Sequence, residues 1–275
     1  MKITLCLSTY ERPETLAAVF RSIERQTRRP DELVIGDDGS GPETARVIRE
    51  AAERGLNIRH CWEEHQGFRL ARMRNLSLAA ATGEYAIIID DDILLHPEFV
   101  ADHEAAAETG FFVQGSRALL DESLSAEATR AEAYWPSFFS PGVGNRKNLV
   151  RCRLLARLFG RPNRKLRGIR TCNFALWRDD FIRVNGFNED FVGWGREDSE
   201  LVARLYKAGL RRRNLRFAAL GCHLHHPPRS RESLEHNNML LAEARRREDA
   251  RCERGLNLHL GKKEKQAPGA DGTEA

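Results

Sequence analysis

Long apolar segments and cysteine motifs are both missing from the sequence, and their absence excludes several classes of protein. No stretch of the 275 residues approaches the ~20 consecutive apolar residues that a membrane-spanning helix needs. The first apolar run, at residues 3–7, is too short for a signal peptide. The six cysteines are scattered without a CxxC pair, so we expect free thiols in a reducing cytoplasm rather than a disulfide framework or a zinc knuckle.

A large excess of one charge is missing too. The chain has 44 Lys and Arg against 40 Asp and Glu, and this net charge of +4 is too small to indicate nucleic acid as a partner. The charge is unevenly spread, because residues 146–170 include many basic side chains, interleaved with apolar ones, and no acidic side chain. The simplest interpretation of this segment is a solvated basic helix and loop. The alternatives are contact with an anionic membrane surface or with a phosphate-bearing ligand.

Short apolar runs alternate with amphipathic segments of helical period in the first part of the sequence. This alternation predicts βαβ units and a mostly parallel sheet flanked by helices, which is an α/β fold. Ligands bind at the carboxyl ends of the strands in such a sheet. The predicted strands cover residues 3–7, 33–35, 57–62 and 85–89, and the predicted helices begin at Pro13, Glu43 and Leu70.

Three polar clusters follow these strands, so we expect them to meet at one edge of the sheet. Adjacent carboxylates repel one another after a buried strand, and a divalent cation such as Mg²⁺ or Mn²⁺ relieves the repulsion because hard cations bind carboxylate oxygens. A solvated acidic turn is the alternative, and for the second cluster a turn is an equally good interpretation. The clusters are Ser8-Thr9-Tyr10, Asp37-Asp38 and Asp90-Asp91-Asp92.

The second half of the sequence is less regular. Residues 116–170 show no clean period and include several prolines and glycines, which predicts loops and a mobile segment. Regular structure is expected again from Thr171, with helices at residues 197–208 and 235–251. The tail at residues 261–275 is predicted to be disordered.

A glycine-rich motif in this half is a candidate for ligand binding and catalysis. In Gly193-Trp194-Gly195, the glycines let the backbone approach a ligand closely, and the Trp194 ring offers a flat face on which a sugar can stack. Glu197 and Asp198 follow and can supply a base. Acidic residues at this position also suit a helix N-terminus without any catalytic role.

His223 and His226 are candidate metal ligands. Two imidazoles that join a carboxylate favour Mn²⁺ over Mg²⁺ or Ca²⁺. A His-rich loop before two prolines is otherwise a common polar turn.

Taken together, these motifs resemble the inverting nucleotide-sugar glycosyltransferases of family 2, which have the GT-A fold. Residues 7–12 are similar to the family's opening strand and loop, and residues 34–40 to its V-x-D-D-G-S turn. Residues 72–75 are similar to its A-R-N helix, and residues 88–92 to its D-x-D metal motif.

The second half, from residue 173 to 226, resembles the C-terminal galactosyltransferase-like segment of β-1,4-galactosyltransferases and chondroitin polymerase. Residues 186–189 are similar to G-F-D-E, and residues 193–198 to G-W-G-G-E-D. Asn188 and Arg196 depart from these patterns. The departures bear on substrate specificity more than on the type of reaction.

The resemblance implies a domain plan and a set of site residues. It implies a Rossmann-like nucleotide-sugar-binding half at 1–115, a variable basic loop or lid at 116–170, and an acceptor-side catalytic segment at 171–260. Asp198 would be the general base, Glu197 would orient the acceptor, and Trp194 between Gly193 and Gly195 would stack on sugar. Asp92 would ligate the metal with His226 or His223. Donor contacts are implied for Ser8, Thr9, Tyr10, Glu11, Arg12, Asp37, Asp38, Arg72, Arg74, Asn75, Asp90 and Asp91.

The implied reaction is transfer with inversion of a hexose or N-acetylhexosamine from a nucleotide diphosphate sugar, with UDP as the expected nucleotide, to a hydroxyl of a glycan or lipid-linked acceptor. Mn²⁺ or Mg²⁺ would assist. One alternative is a sugar-nucleotide nucleotidyltransferase. Such enzymes typically have a Gly-rich phosphate-binding loop after the first strand, and residues 8–12 do not have this sequence. The other is a non-catalytic nucleotide-sugar or glycan-binding module, which would not need the full set of acidic and histidine residues.

The expected location is the cytoplasm. The basic segment at 146–170 would also allow a peripheral contact with an anionic membrane at the inner face of the cell membrane. Nucleic acid is not an expected partner.

Overall fold

The computed structural model describes residues 1–261. The tail that the sequence predicts to be disordered therefore lies outside the described residues, apart from residue 261 itself. Single turns of 3₁₀ helix lie at Arg146–Leu149 and Leu256–Leu258. In chain order the strands and α-helices of the described part are β1 (Ile3–Thr9), α1 (Pro13–Glu24), β2 (Glu32–Asp37), α2 (Pro42–Glu53), β3 (Ile58–Trp62), α3 (Leu70–Ala80), β4 (Tyr85–Asp90), β5 (Ile93–Leu95), α4 (Phe99–Ala106), β6 (Phe111–Gln114), β7 (Arg117–Leu120), α5 (Glu122–Arg130), β8 (Val143–Gly144), α6 (Arg153–Phe159), β9 (Asn173–Trp177), α7 (Arg178–Val184), α8 (Glu197–Lys207), β10 (Arg211–Asn214), β11 (Gly221–His223) and α9 (Leu234–Arg246).

The central sheet of the described chain has seven strands in the order β10-β6-β9-β4-β1-β2-β3. Its strands pair in parallel, except that β9 is antiparallel to both β4 and β6. The prediction of an α/β fold with a mostly parallel sheet is therefore confirmed. Strands β1 to β4 lie where the sequence predicts them, within two residues at each end.

The strand register brings the three polar clusters to one rim of the sheet, as predicted. Ser8 at the end of β1 lies beside Asp90 of β4 on one side and beside Gly36 of β2 on the other. Thr9 lies beside Asp37. Because β9 runs in the opposite direction, its first residue, Asn173, reaches the same rim and pairs with Ile89.

Helices cover both faces of the sheet and bury its apolar side chains. Ile3, Leu5 and Leu7 of β1 pack in the cluster that includes α1 and α2, while Cys6 points to the opposite cluster with α3, α7 and α8. All seven residues of β1 are buried. Each fully buried Ile or Leu contributes about 1.5–3 kcal/mol of hydrophobic stabilisation, so the strand that ends at the site is firmly held.

The prediction of loops over residues 116–170 overlooks several regular elements. This segment includes α5, α6 and two strands of a second sheet, whose order is β5-β11-β7-β8. In α5 the buried side chains are small ones, Ser125 and Ala128, and these give no hydrophobic period in the sequence. The Asp121 side chain accepts a hydrogen bond from the Leu124 backbone N–H at 2.9 Å and caps the helix.

The helices of the second half begin close to their predicted positions. Helix α9 starts one residue before the predicted start at 235 but ends at Arg246, five residues before the predicted end at 251. Among residues 1–261, no helix combines the length and the apolar character needed to cross a membrane.

Candidate active site

A cleft of about 630 Å³ runs along the rim where the polar clusters meet. One wall is formed by the ends of β1 and β4, and the other by the start of α8 and the segment after β11. The sequence-predicted site residues that line it are Ser8, Thr9, Tyr10, Arg12, Asp38, Arg74, Asp90, Asp91, Asp92, Trp194, Gly195, Glu197, Asp198, His223 and His226.

The three consecutive aspartates after β4 have different surroundings. Asp91 is buried and accepts a hydrogen bond from the Thr9 hydroxyl at 2.8 Å. Burial and then the neighbouring Asp92 charge raise the pKa of Asp91, against the attraction of Arg12. Asp90 is more exposed, and its Oδ1 accepts from the Arg74 guanidinium at 3.0 Å.

Asp92 and two histidines form the one group of metal-ligating side chains found among the described residues, with ligand atoms all within 4.8 Å of one another. His223 Nε2 lies 3.4 Å from Asp92 Oδ1, and His226 Nε2 lies 3.3 Å from Asp92 Oδ2. The short antiparallel pairing of β5 with β11 sets this geometry, since it places His223 opposite Ile93, the residue that follows Asp92.

The surroundings of this group fit a divalent cation. Asp92 Oδ1 is buried and has no hydrogen-bond partner within residues 1–261, which is costly unless another group satisfies it. Burial lowers the pKa of His223, so its ring is kept neutral, the form that binds metals. One carboxylate and two imidazoles suit Mn²⁺ better than Ca²⁺ or Mg²⁺.

Arg74 of α3 connects the aspartates with the acidic start of α8. Its side chain is only 2% exposed, and it contacts Asp90 at 3.0 Å, Asp198 at 3.0 Å and Glu197 at 3.3 Å. Burial alone lowers the pKa of Arg74, but attraction to these three carboxylates outweighs it and raises the pKa above its ordinary value. Arg74 thus fixes the position of three candidate functional groups.

Asp198 has a second anchor in Thr171, which sequence reasoning missed. Its Oδ1 accepts from the Thr171 hydroxyl at 2.5 Å and its Oδ2 from the Thr171 backbone N–H at 3.1 Å. Thr171 lies two residues before β9, so the reversed direction of that strand brings it to the rim. Glu197 is nearly buried, and burial together with the Asp198 charge raises its pKa.

The glycine-rich motif before α8 forms one lip of the cleft. Gly193 and Gly195 have φ angles of +74° and +103°, and a Cβ on Gly193 would lie 2.3 Å from the Ser233 hydroxyl. Trp194 between them is 41% exposed, and the Arg231 guanidinium lies 5.4 Å from its ring centroid. The ring is therefore available at the cleft, as sugar stacking requires.

Tyr10, which lines the cleft, stacks on His65 behind it, a contact that sequence reasoning also missed. Tyr10 and His65 are nearly parallel, with ring centroids 4.1 Å apart. The His65 ring contacts the Asp38 carboxylate at 3.1 Å, and Arg69 reaches the same carboxylate at 3.4 Å. Burial raises the pKa of Asp38, against the attraction of His65 and Arg69.

Asp37 lies beneath this region instead of lining the cleft. It is buried, accepts a hydrogen bond from the Ser40 backbone N–H at 2.8 Å, and contacts His60 Nε2 at 2.8 Å. These contacts fix the turn that presents Asp38. Of the two aspartates with an implied nucleotide contact, only Asp38 lines the cleft, and donor binding by Asp37 stays a prediction.

Three other side chains with implied donor contacts do not line the cleft. Glu11 accepts from the Gly41 backbone N–H, Arg72 pairs with Glu63 and Glu189, and Asn75 bonds to the Phe187 backbone. Each fixes the scaffold around the site. Donor binding by Glu11, Arg72 and Asn75 stays a prediction.

Comparison with known families matches two adjoining parts of the chain, which together run from residue 4 to residue 227. The family model described as "Glycosyl transferase family 2" matches residues 4–151, and the model described as "N-terminal domain of galactosyltransferase" matches residues 156–227.

Two curated relatives and one solved structure illustrate the similarity. Validoxylamine A glucosyltransferase of Streptomyces hygroscopicus subsp. limoneus is 30% identical over 234 residues, covering 76% of this chain and 48% of that protein. Chondroitin synthase of Escherichia coli is 27% identical over 252 residues, covering 84% and 36%. The chain thus spans half or less of the length of these relatives. The crystal structure of S. aureus TarS in complex with UDP superposes with a TM-score of 0.63 at 16% identity, covering 89% of this chain and 65% of that one, which shows a shared fold.

Proposed function

The chain belongs to glycosyl transferase family 2 and has the GT-A fold that its motifs predict; from this premise we propose that it transfers a hexose or N-acetylhexosamine from a nucleotide diphosphate sugar to a hydroxyl of a glycan or lipid-linked acceptor, with a divalent metal and with inversion. One observation carries the proposal. A single cleft holds both the Asp92–His223–His226 group and the Asp198 carboxylate, joined through Asp90 and Arg74.

The donor half of the cleft supports a nucleotide diphosphate as ligand. The Tyr10–His65 stack offers a flat surface for a base, and Asp38 beside it can accept hydrogen bonds from a base or ribose. UDP is the nucleotide we favour, because the structural relative TarS binds UDP. Arg12 beside Asp92 adds a positive charge at the diphosphate end.

Asp92, His223 and His226 would hold the metal, with Mn²⁺ preferred because of the two imidazoles. When bound, a divalent cation supplies charge neutralisation for a diphosphate leaving group. The orphaned Asp92 Oδ1 is the acceptor atom best placed to be a ligand.

Asp198 is proposed as the general base, and its contacts select the atom that takes the proton. Oδ1 already accepts from Arg74 and from the Thr171 hydroxyl, whereas within residues 1–261 Oδ2 accepts only from the Thr171 backbone N–H. Oδ2 therefore keeps a free lone pair for the acceptor hydroxyl. As that hydroxyl oxygen bonds to the anomeric carbon, its proton moves to Asp198 Oδ2, and the bond from that carbon to the diphosphate oxygen breaks on the opposite face.

Glu197 has a complementary role beside the base. Because burial raises its pKa, Glu197 is able to keep its proton and donate a hydrogen bond to the acceptor at neutral pH. Trp194 at the lip gives the acceptor or donor sugar an apolar face on which to stack.

A thermal-shift titration with UDP, GDP, CDP and dTDP, each with and without Mn²⁺, tests the donor site. A ligand that binds only the native state raises its stability by RT ln(1 + [L]/Kd), so one nucleotide is expected to raise Tm in a Mn²⁺-dependent way. Asp92→Ala and His226→Ala should abolish the rise. His225→Ala, which removes an exposed neighbouring imidazole, is the matched control and should keep it. If no nucleotide raises Tm in the wild type, the proposed function is wrong.

A peripheral contact with an anionic membrane, on the cytoplasmic side, is a second part of the proposal. Leu154, Leu158 and Phe159 of α6 are each more than half exposed, and Arg153 and Arg157 lie on the same short helix. Exposed apolar side chains next to basic ones are typical of surfaces that bind anionic lipid headgroups. A lipid-linked acceptor would be presented at such a surface.

A further inference from the structure

A second cavity, of about 290 Å³, opens beside the cleft. Arg117, Arg170 and Cys172 line both, so the two spaces adjoin. The floor of the second cavity is formed by the carboxyl ends of β6 and β10 and by the first residue of β9. It therefore lies on the same rim of the sheet, on the side away from the Tyr10–His65 stack.

The charged residues in the lining of this cavity are all basic, and the lining residues that the structure describes include no Asp or Glu. The basic residues are Arg117, Lys147, Arg170, Arg212 and Arg216. Lys147, Arg170 and Arg216 form no ion pair with any carboxylate of residues 1–261. Positive charges that converge on a concave space without an acidic partner repel one another, and an anionic ligand relieves this repulsion.

Unsatisfied polar atoms at the cavity provide a second, independent observation. Arg212 Nε and the Ser116 hydroxyl are buried donors, and Gln114 Oε1 is a buried acceptor; none has a hydrogen-bond partner in the described chain. Arg212 and Gln114 are each more than nine-tenths buried. Such groups cost stability unless a ligand or water satisfies them. All three residues line the cavity, so its wall contains polar groups that lack hydrogen-bond partners within residues 1–261.

We propose that this cavity binds a phosphate group on the acceptor, next to the sugar hydroxyl that is glycosylated. Guanidinium forks match the oxygens of a phosphate, and the tetrahedral group offers more acceptor atoms to five basic side chains than a carboxylate does. The inference rests on the proposed function, because Arg117 and Arg170 join the cavity to the cleft that holds Asp198. The acceptor is accordingly a sugar phosphate or a glycan on a diphosphate-linked lipid.

A calorimetric titration of the full chain with inorganic phosphate tests the cavity directly. EDTA in the buffer keeps the protein free of metal. The cleft of the donor site also holds arginine side chains, so the variants, and not the absence of metal, separate phosphate binding in the cavity from binding in the cleft. We expect one phosphate per chain. Lys147→Ala combined with Arg216→Ala should weaken binding at least tenfold, since both residues line only this cavity.

Two controls separate a built site from diffuse attraction. Arg153→Ala combined with Arg161→Ala removes the same charge from the same basic segment without touching the cavity, and it should change phosphate affinity less than twofold. Asp92→Ala should also leave it unchanged. Equal weakening by both double variants, no phosphate binding in the wild type, or glucuronate binding as tight as phosphate would each overturn the inference.

Galactose 1-phosphate and geranyl diphosphate, used as competitors, distinguish the two acceptor sources. If galactose 1-phosphate competes more tightly with phosphate, the acceptor is a sugar phosphate. If geranyl diphosphate competes more tightly, the acceptor is a lipid diphosphate. The nucleotide titration with Mn²⁺ keeps the proposed function separately testable. If nucleotides shift Tm and phosphate does not bind, only the cavity inference is wrong; if phosphate binds and no nucleotide does, the proposed function is wrong and the assignment to an acceptor falls with it.

Discussion

The Arg74 guanidinium contacts carboxyl groups from two distant parts of the chain, Asp90 at the end of β4 and Glu197 and Asp198 at the start of α8. A buried cation with two carboxylate partners and the carboxyl of Glu197 beside it is stable as a group, but the loss of one carboxylate leaves an uncompensated charge in a poorly solvated place. Arg74 therefore acts as a positioning residue, since it holds the proposed base without itself accepting the proton.

Asp198→Asn isolates the chemical step at the scale of one atom. The amide keeps the shape of the side chain but cannot take the proton, so turnover is expected to fall on the order of 10²–10⁴-fold. The Kd of the nucleotide, measured by the Mn²⁺-dependent Tm shift, should stay within about threefold, because Asp198 does not contact the donor in the proposed mechanism. Asp179→Asn on the exposed side of α7 is the matched control. A near wild-type rate in Asp198→Asn would show that another group is the base.

At the residue scale, the sequence predicts chemical types better than roles. Asp38 and Asp198 line the cleft as their motifs imply. Asp37 has the same motif but points into the turn, and nothing in a D-D-G-S string distinguishes the two. Thr171 was missed because one threonine before an apolar strand has no sequence signature. Its role depends on a contact with Asp198, 27 positions further along the chain.

At the scale of elements, one buried hydrogen bond ties α4 to β9. The Asn173 amide nitrogen donates to the Ser116 and Ala219 carbonyls, so its oxygen is the acceptor and His103 Nε2 must hold the proton. His103 Nδ1 is buried and has no partner among the described residues. A second proton on this ring would lie in an apolar place. Burial lowers the pKa of His103 to about 4, against small opposing effects of Asn173 and Asp102.

This contact predicts a loss of stability in acid. Between an unfolded pKa of 6.5 and a folded pKa of about 4, the unfolded chain holds a proton on His103 that the folded chain does not. The contribution is therefore complete above pH 6.5 and is lost as the pH falls towards 4, by roughly 3 kcal/mol in all. Urea unfolding of the wild type and of His103→Gln, from pH 7 to pH 4.5, measures this contribution. The free energy of unfolding should fall more steeply with decreasing pH in the wild type than in the variant. His236→Gln, which replaces an exposed imidazole, should follow the wild type. Parallel curves for His103→Gln and wild type would contradict the assignment.

Elements were predictable where burial leaves a pattern in the sequence. Strands β1 and β4 are buried almost throughout, and their unbroken apolar runs mark them. Helix α5 was missed because it buries only small side chains and leaves no apolar period in the sequence. Helix α6 buries none of its residues, which agrees with the solvated basic helix expected within residues 146–170. The left-handed φ of +80° at Arg196, where the related motif has glycine, also has no signal in the sequence.

At the scale of the whole molecule, the basic and apolar surface of α6 predicts binding to anionic vesicles. Neutralising Arg153 and Arg157 to Gln should weaken flotation with phosphatidylglycerol vesicles roughly 30-fold, at about 1 kcal/mol for each charge. Raised salt should have the same effect, and neutral vesicles should not bind. Phe138→Ser with Phe139→Ser removes exposed aromatics from another surface and serves as the control. Equal flotation of the α6 variant and the wild type would exclude this surface as a membrane contact.

The overall architecture was predictable in its first half and less so in its second. Sequential parallel strands joined by helices follow from local patterns and from the handedness of βαβ units. The placement of β9 between β4 and β6 does not, because it depends on pairing between segments more than 80 positions apart, as for Ile89 with Asn173. The cavity beside the cleft follows from that same placement.

The reversed strand also constrains how such a protein can evolve. β9 belongs to the second half of the chain but fills the gap between β4 and β6 of the first half. A recombination event that divided the gene between the two halves would leave two strands with open edges and a sheet prone to association. The first half of the chain therefore needs β9 from the second half to complete its sheet.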